Sequence, residues 1–133
     1  MSDVLYDTAL DAEYRSHLAS GEFRLQCCTE CGTFRHPARF ACAKCLSDKW
    51  SWTAVSGEGV IETFVWYCEP VDPRFAKVPY NVALVRLREG PGMFANIAGA
   101  GMDDLAVGQA VRAEIGAVNG RPVVHFTQAG ATR

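Results

Sequence analysis

The stretch "CCTECGTFRHPARFACAKC", residues 27–45, holds five of the chain's six cysteines. Within it, Cys28-Thr-Glu-Cys31 and Cys42-Ala-Lys-Cys45 form two C-x-x-C pairs with ten residues between them. Each pair aims two thiolates at one ion from a single tight turn, and two such turns complete a tetrahedral four-sulfur site. Gly32, directly after Cys31, suits a turn in which the backbone bends back on the sulfur. A ten-residue gap is shorter than the roughly 15–20 usual for this pattern, yet it allows a hairpin out and back. Buried thiols without a metal would not account for two matched pairs. Iron of the rubredoxin type uses the same ligand set, but the short gap and the polar connector "GTFRHPARFA" favour zinc.

Cys27 is excluded by register. Taking it in place of Cys28 gives a C-x3-C pair and loses the C-x-x-C-G turn. It also continues the alternation of Phe23 and Leu25 in "FRLQC", so it is expected to face their core. The expected ligands are therefore Cys28, Cys31, Cys42 and Cys45. Cys68, at the end of a later strand, reads as a small buried hydrophobe. Residues 22–52 are fewer than the roughly 40 at which a hydrophobic core alone suffices. One structural zinc per chain, contributing roughly 10–16 kcal/mol in small modules, would make up the difference. Four cysteines leave no open position for a reacting water.

Upstream, Leu10, Tyr14, His17 and Leu18 make one apolar stripe of a helix. Asp7 or Thr8 can cap it, with Asp11 at capping-box spacing from Thr8, and Gly21 ends it. Downstream, "SGEG" (56–59) is the first clear punctuation and the expected boundary. Five strands follow: "VIETFVWYC" (60–68), apolar on both faces, "NVALVRL" (81–87), "GMFANIA" (92–98), "QAVRAEI" (109–115) and "VVHFT" (123–127). A turn, or one helical turn, spans 101–108, and Asn119-Gly120 marks a hairpin. Five short strands without a long helix suit a small closed barrel such as the OB-fold, though an SH3-like barrel or small sandwich shares the pattern. The expected organisation is an N-terminal helix (1–21), a rubredoxin-like zinc ribbon (22–56) and a five-stranded OB-fold barrel (57–133), mainly β throughout.

Charge narrows the partners. The chain carries 13 Lys and Arg against 15 Asp and Glu, and residues 1–56 and 57–133 are each acidic by one charge. Four thiolates around a divalent ion make it more acidic still. A zinc ribbon with an OB-fold suggests single-stranded nucleic acid, with aromatics such as Trp66 and Phe94 to stack bases. The one basic cluster, Arg35, Arg39 and Lys44, is small for a phosphate backbone. No basic start, apolar leader or membrane-length apolar run occurs in the 133 residues, so a cytoplasmic protein with reduced thiols is expected. Catalytic groups are sparse. His17 lies on the helix stripe, His36 reads as a loop residue, and no serine sits in a nucleophile elbow. Asp103 and Asp104 suit a turn.

These segments together resemble the zinc-ribbon/OB-fold family associated with acyl-CoA enzymes, long catalogued as domain of unknown function 35. The matching features are the opening helix running into "GEFRLQCCTECG", the short-gap "CAKC" followed by tryptophan, "SGEGVIETF", "FAKVPYNVALVRLREGP" and "DDLAVGQAV". The resemblance covers nearly the whole chain. Many members have a basic residue where this chain has Cys27. The resemblance implies a non-catalytic accessory subunit in a hetero-oligomer with a thiolase-like protein, in complexes that make or break C–C bonds on acyl-CoA thioesters. Acyl-CoA would be the ligand of the complex. The loop "EPVDPRFAKVPY", stiffened by three prolines, is then the expected docking surface. Phe75 and Tyr80, together with Trp66, are the expected partner- or acyl-binding anchors.

Overall fold

The computed structural model describes residues 8–70 and 77–129, with side chains from residue 9. Asp7 and the Thr8 side chain, named as helix caps, lie outside the described residues. The chain divides into two compact units, one running to Ser56 and taking in Glu89–Pro91, the other beginning at Gly57. No helix among the described residues is long and apolar enough to cross a membrane.

In the first unit, α1 (Thr8–Ala19) is followed by a three-stranded antiparallel sheet of order β2-β1-β3. Its strands are β1 (Arg24–Cys28), β2 (Phe34–Arg35) and β3 (Trp50–Ala54). Leu10, Tyr14 and Leu18, three of the four stripe positions, are buried with Leu25 of β1. His17, the fourth, is half-buried against the Trp52 ring, 5.4 Å between centroids. The helix stops at Gly21 (φ 83°), where Gly21 N–H donates to Leu18 O and Glu22 N–H donates to His17 O, both at 2.9 Å. This paired closure satisfies two orphan carbonyls and requires a left-handed residue, which glycine supplies. His36 lies in the bend after β2, as expected of a loop residue, and packs on Tyr14 with ring centroids 5.1 Å apart. Burial holds the His36 pKa below its ordinary value and pushes that of Tyr14 up to about 12.

The alternation expected for β1 fails at its far end. Gln26, expected outside, is fully buried, while Cys27 is only half-buried. Chain folds over both faces of β1, so period two no longer sorts inside from outside. Gln26 Oε1 accepts from Arg35 Nε at 2.9 Å and from Arg39 N–H at 2.7 Å, tying the 35–39 crossing to the strand.

The second unit is a five-stranded antiparallel sheet of order β6-β5-β4-β7-β8. It comprises β4 (Glu58–Tyr67), β5 (Tyr80–Leu87), β6 (Gly92–Ala95), β7 (Ala110–Val118) and β8 (Arg121–Gln128). A parallel bridge between Ile97 and Phe126 brings the two edges together into a nearly closed barrel. Its core is Ile61, Ala83, Val85, Leu87, Met93, Ile97, Val111, Val124 and Phe126. The β7–β8 hairpin turns on Asn119 (φ 52°) and Gly120 (φ 80°), the left-handed pair a two-residue hairpin needs. Residues 101–108 form turns, with Asp104 Oδ2 accepting from Gly101 N–H at 2.6 Å.

A bulge in β4 explains why that strand reads as apolar on both faces. The register with β5 jumps from Ile61↔Val85 to Thr63↔Leu84, leaving Glu62 as the extra residue. Before it the odd positions Gly59 and Ile61 turn inward; after it Phe64 and Trp66 lie opposite the buried Ala83 and Asn81. The bulge reverses which parity faces the core. Gly59 must be glycine, because a Cβ there would lie 2.7 Å from Val85 Cγ1 and 2.9 Å from Arg86 O.

Candidate functional site

Two hairpin turns present the ribbon cysteines, and each is closed by the same pair of backbone bonds. Gly32 N–H donates to Cys28 O at 2.8 Å and Cys28 N–H to Thr33 O at 2.9 Å. In the second turn Leu46 N–H donates to Cys42 O at 2.8 Å and Cys42 N–H to Ser47 O at 2.9 Å. The structure brings the Sγ atoms of Cys28, Cys31, Cys42 and Cys45 within 4.8 Å of one another. Two cross-turn pairs, Cys28–Cys45 and Cys31–Cys42, are each 3.6 Å apart. A tetrahedron with Zn–S near 2.3 Å has sulfur–sulfur edges of about 3.8 Å, so the cluster fits such an ion. The four cysteines are positioned to bind a metal.

Hydrogen bonds from the turns favour the anionic state at Cys31 and Cys42, whereas Cys45, despite a backbone bond from Ser47, is pushed up to about 12 by desolvation and the neighbouring cysteine sulfurs. Cys31 Sγ lies 3.2 Å from Thr33 Oγ1, and the Thr33 hydroxyl and amide bring the Cys31 pKa down to about 6. The amides of Cys45 and Lys44 lower that of Cys42, with Lys44 N–H 3.4 Å from its sulfur. Cys27 stands apart from the four. Its sulfur is 3.6 Å from Gly32 O, and burial pushes its thiol up. Cys68 is exposed beyond the end of β4, contrary to the buried role expected of it.

The expected partner anchors separate. Phe75 lies outside the described residues. Trp66 faces the Asn81 side of the barrel, half-buried, and its buried indole N–H has no hydrogen-bond partner. Tyr80 faces the opposite way and stacks on Tyr67, ring centroids 4.9 Å apart and planes 8° from parallel. Tyr67, unremarked in the sequence, heads an outward apolar face. Past the bulge, Val65 and Tyr67 of β4 sit beside Val82 and Tyr80 of β5, and Leu84 sits beside Phe94 of β6. Val65 is 52% exposed, Tyr67 38% and Phe94 72%. No basic side chain belongs to these six, and Arg86 at their margin is bound by Glu62 through two contacts of 2.9 and 3.0 Å.

The described histidines and acids assemble no catalytic group. His125 Nε2 lies 3.3 Å from Glu114 Oε1 across β7 and β8, and Asp104 caps a turn. A cavity of about 560 Å³ over β4, β5 and β7 is lined by Arg86, Arg88 and Arg112 with Glu58. Two of its three guanidiniums are paired, Arg86 to Glu62 and Arg88 to Glu58.

Comparison with known proteins matches both units. The family model for the ChsH2 rubredoxin-like zinc ribbon domain covers residues 15–51, and that for the ChsH2 C-terminal OB-fold domain covers residues 52–116. A probable enoyl-CoA hydratase alpha subunit of Thermomonospora curvata is 34% identical over 65% of this chain and 27% of its own length. A DUF35 domain-containing scaffold protein of Methanocaldococcus jannaschii is 33% identical over 65% of this chain and 62% of its own. The matched stretch thus spans less than two thirds of these relatives. Among solved structures, the Ltp2-ChsH2(DUF35) aldolase superposes with a TM-score of 0.81 at 28% identity, covering 90% of this chain and 94% of that one. A DUF35-family protein of unknown function from Sulfolobus solfataricus shares the fold, with a TM-score of 0.62 at 19% identity.

Proposed function

Because the chain belongs to the ChsH2-type zinc-ribbon/OB-fold family, we propose that it is a non-catalytic accessory subunit of an acyl-CoA enzyme, docked on a thiolase-like partner. In this reading residues 22–56 are a ribbon held by one structural zinc on Cys28, Cys31, Cys42 and Cys45. Residues 57–133 are the barrel that meets the partner. Zinc would brace the two turns and supply no chemistry to substrate, since all four positions are filled by sulfur. The reaction of the complex, on an acyl-CoA thioester, would belong to the partner's own residues.

The observation that carries the reading is the outward apolar face of Val65, Tyr67, Tyr80, Val82, Leu84 and Phe94, in a unit without a catalytic constellation among its described residues. Apolar side chains contiguous over three strands favour a partner or an acyl chain over water. A face without cations has little to offer a phosphate backbone. The names borne by relatives, an enoyl-CoA hydratase subunit and a scaffold protein, and the aldolase complex among similar structures support the same class.

Co-expression with a thiolase-like protein from the same genome tests it. The two chains should co-purify with about one zinc per copy of this chain, and the isolated chain should show no thiolase or aldolase turnover. Turnover by the isolated chain, or failure to join any such protein while binding single-stranded nucleic acid at moderate salt, would overturn the reading.

A further inference from the structure

Past its bulge, β4 is an edge strand. β5 pairs one side of it as far as Tyr67, but β7 pairs the other side only at residues 58–60. Two backbone bonds extend that side by one residue, Ile61 N–H to Gln109 O at 3.0 Å and Gly108 N–H to Ile61 O at 2.7 Å. Beyond them no strand among the described residues faces residues 63–67 from that side. The alternation of an antiparallel ladder says which groups are left over. Arg88 N–H donates to Glu58 O at 2.9 Å, so Leu84, Val82 and Tyr80, of the same parity on β5, engage Thr63, Val65 and Tyr67. Phe64 and Trp66 then turn their N–H and C=O groups to the open side. Their side chains mark the same gap in the barrel wall. Both occupy core parity, opposite the buried Ala83 and Asn81, yet both are only half-buried. The indole N–H of Trp66 is buried without a partner as well.

We propose that this open edge takes a strand of the partner subunit, an extended, uncharged, apolar segment that pairs with residues 63–67 and lengthens the sheet by one strand. The proposal rests on the accessory reading above and states how the partner engages the barrel. The edge itself defines its occupant. Its free N–H and C=O groups lie on alternate residues, which is how a neighbouring strand presents its own acceptors and donors. The segment "TFVWY" has neither charge nor proline, the usual guards of an exposed edge. Apolar side chains flank it on both faces, Phe64 and Trp66 inward, Val65 and Tyr67 outward, so the incoming strand is apolar on both of its faces. Val65 and Tyr67 also belong to the outward apolar face, and one partner can cover edge and face together. A second copy of this chain fits less well. Antiparallel pairing of two such edges about a two-fold axis sets their apolar faces side by side on one surface and enlarges the exposed patch.

The test is amide hydrogen exchange, read residue by residue, on the zinc-loaded full chain alone and bound to the purified thiolase-like subunit of the same genome. In the free chain the Phe64 and Trp66 amides should exchange faster than that of Val65, which is bonded to β5. Binding should slow Phe64 and Trp66 about tenfold or more, and Val65 less. Two variants test the bonds themselves. Phe64→Ser and Phe64→Pro both lose the ring, but only proline loses the outward N–H, a loss that an edge strand tolerates. With matched zinc content and melting temperature, Phe64→Pro should bind the subunit about tenfold or more weakly than Phe64→Ser. If the proline chain does not fold, the exchange pattern decides alone. A complex in which both amides stay fast, or equal binding by the two variants, overturns the added strand and leaves the accessory reading intact. Both amides already slow in the free chain overturn it too, and a dimeric mass in solution would then give the edge to a second copy. If the native chain binds no thiolase-like subunit, the accessory reading falls and the added strand with it.

Discussion

Replacing Asn81 should open the barrel at its seam. Asn81 lies on β5 among the inward residues Ala83, Val85 and Leu87, a polar side chain in an apolar row. Its Oδ1 accepts from Ile97 N–H at 2.6 Å, and its Nδ2 donates to Ile97 O at 2.9 Å. The side chain thus does for Ile97 what a neighbouring strand would do. Its effect extends to β8, because Phe126 N–H donates to Asn96 O at 3.0 Å and Ala98 N–H donates to Phe126 O at 2.8 Å. Asn81→Ala leaves one donor and one acceptor buried without partners, each worth about 1–3 kcal/mol. A loss of about 2–5 kcal/mol is expected, a large share of the roughly 5–15 kcal/mol that holds a typical domain. Asn81→Leu, which keeps the volume, should cost as much, since the deficit is polar and not steric. Urea unfolding measures the loss, and hydrogen exchange at the Ile97, Ala98 and Phe126 amides locates it. A loss under about 1 kcal/mol for either variant, with those three amides still protected, would refute the reasoning.

Stripping the metal with a strong chelator should unfold the ribbon and spare the barrel. The first unit buries few large side chains (Leu10, Tyr14, Leu18, Leu25), whereas the barrel buries nine core residues. Hydrogen exchange should rise through residues 22–54 and stay low in β5 and β7, and Cys42→Ser should reproduce the pattern without chelator. The burial that depresses the His36 pKa gives a second expectation. A base with a folded pKa below its unfolded value binds fewer protons when folded. Its contribution is therefore full above the unfolded value, about 6.5, and is lost as pH falls below it. Urea midpoints taken with zinc in excess should drop between pH 7.5 and 5.5, and His36→Phe should flatten that dependence.

Features legible in the sequence are those closed by neighbours along the chain. The cysteine turns need only bonds four or five residues apart, such as Gly32 N–H to Cys28 O, so C-x-x-C-G spacing shows them. The helix stop at Gly21 and the Asn119-Gly120 hairpin are equally local. The long apolar run at 60–68 and the alternation of 81–87 announce a barrel because period two survives in most of its strands. Gln26 and Cys27 broke that period because the chain packs both faces of β1. Strand β3 escaped notice because "WSWTA" carries its signal only when paired with β1.

The sequence by itself determined the inventory: paired thiols, a helix closed at Gly21 and five barrel strands. Each depends on residue type and on spacing within about one turn or strand. Tertiary structure alone decided orientation. The Glu62 bulge reversed the parity of β4, placed Trp66 inside and Tyr67 outside, and set Tyr80 in a stack that no local pattern announces. It also gave Asn81 its place at the seam, since the backbone groups it satisfies lie sixteen residues on. What a side chain meets across a sheet is set by register, and register is a property of two strands together.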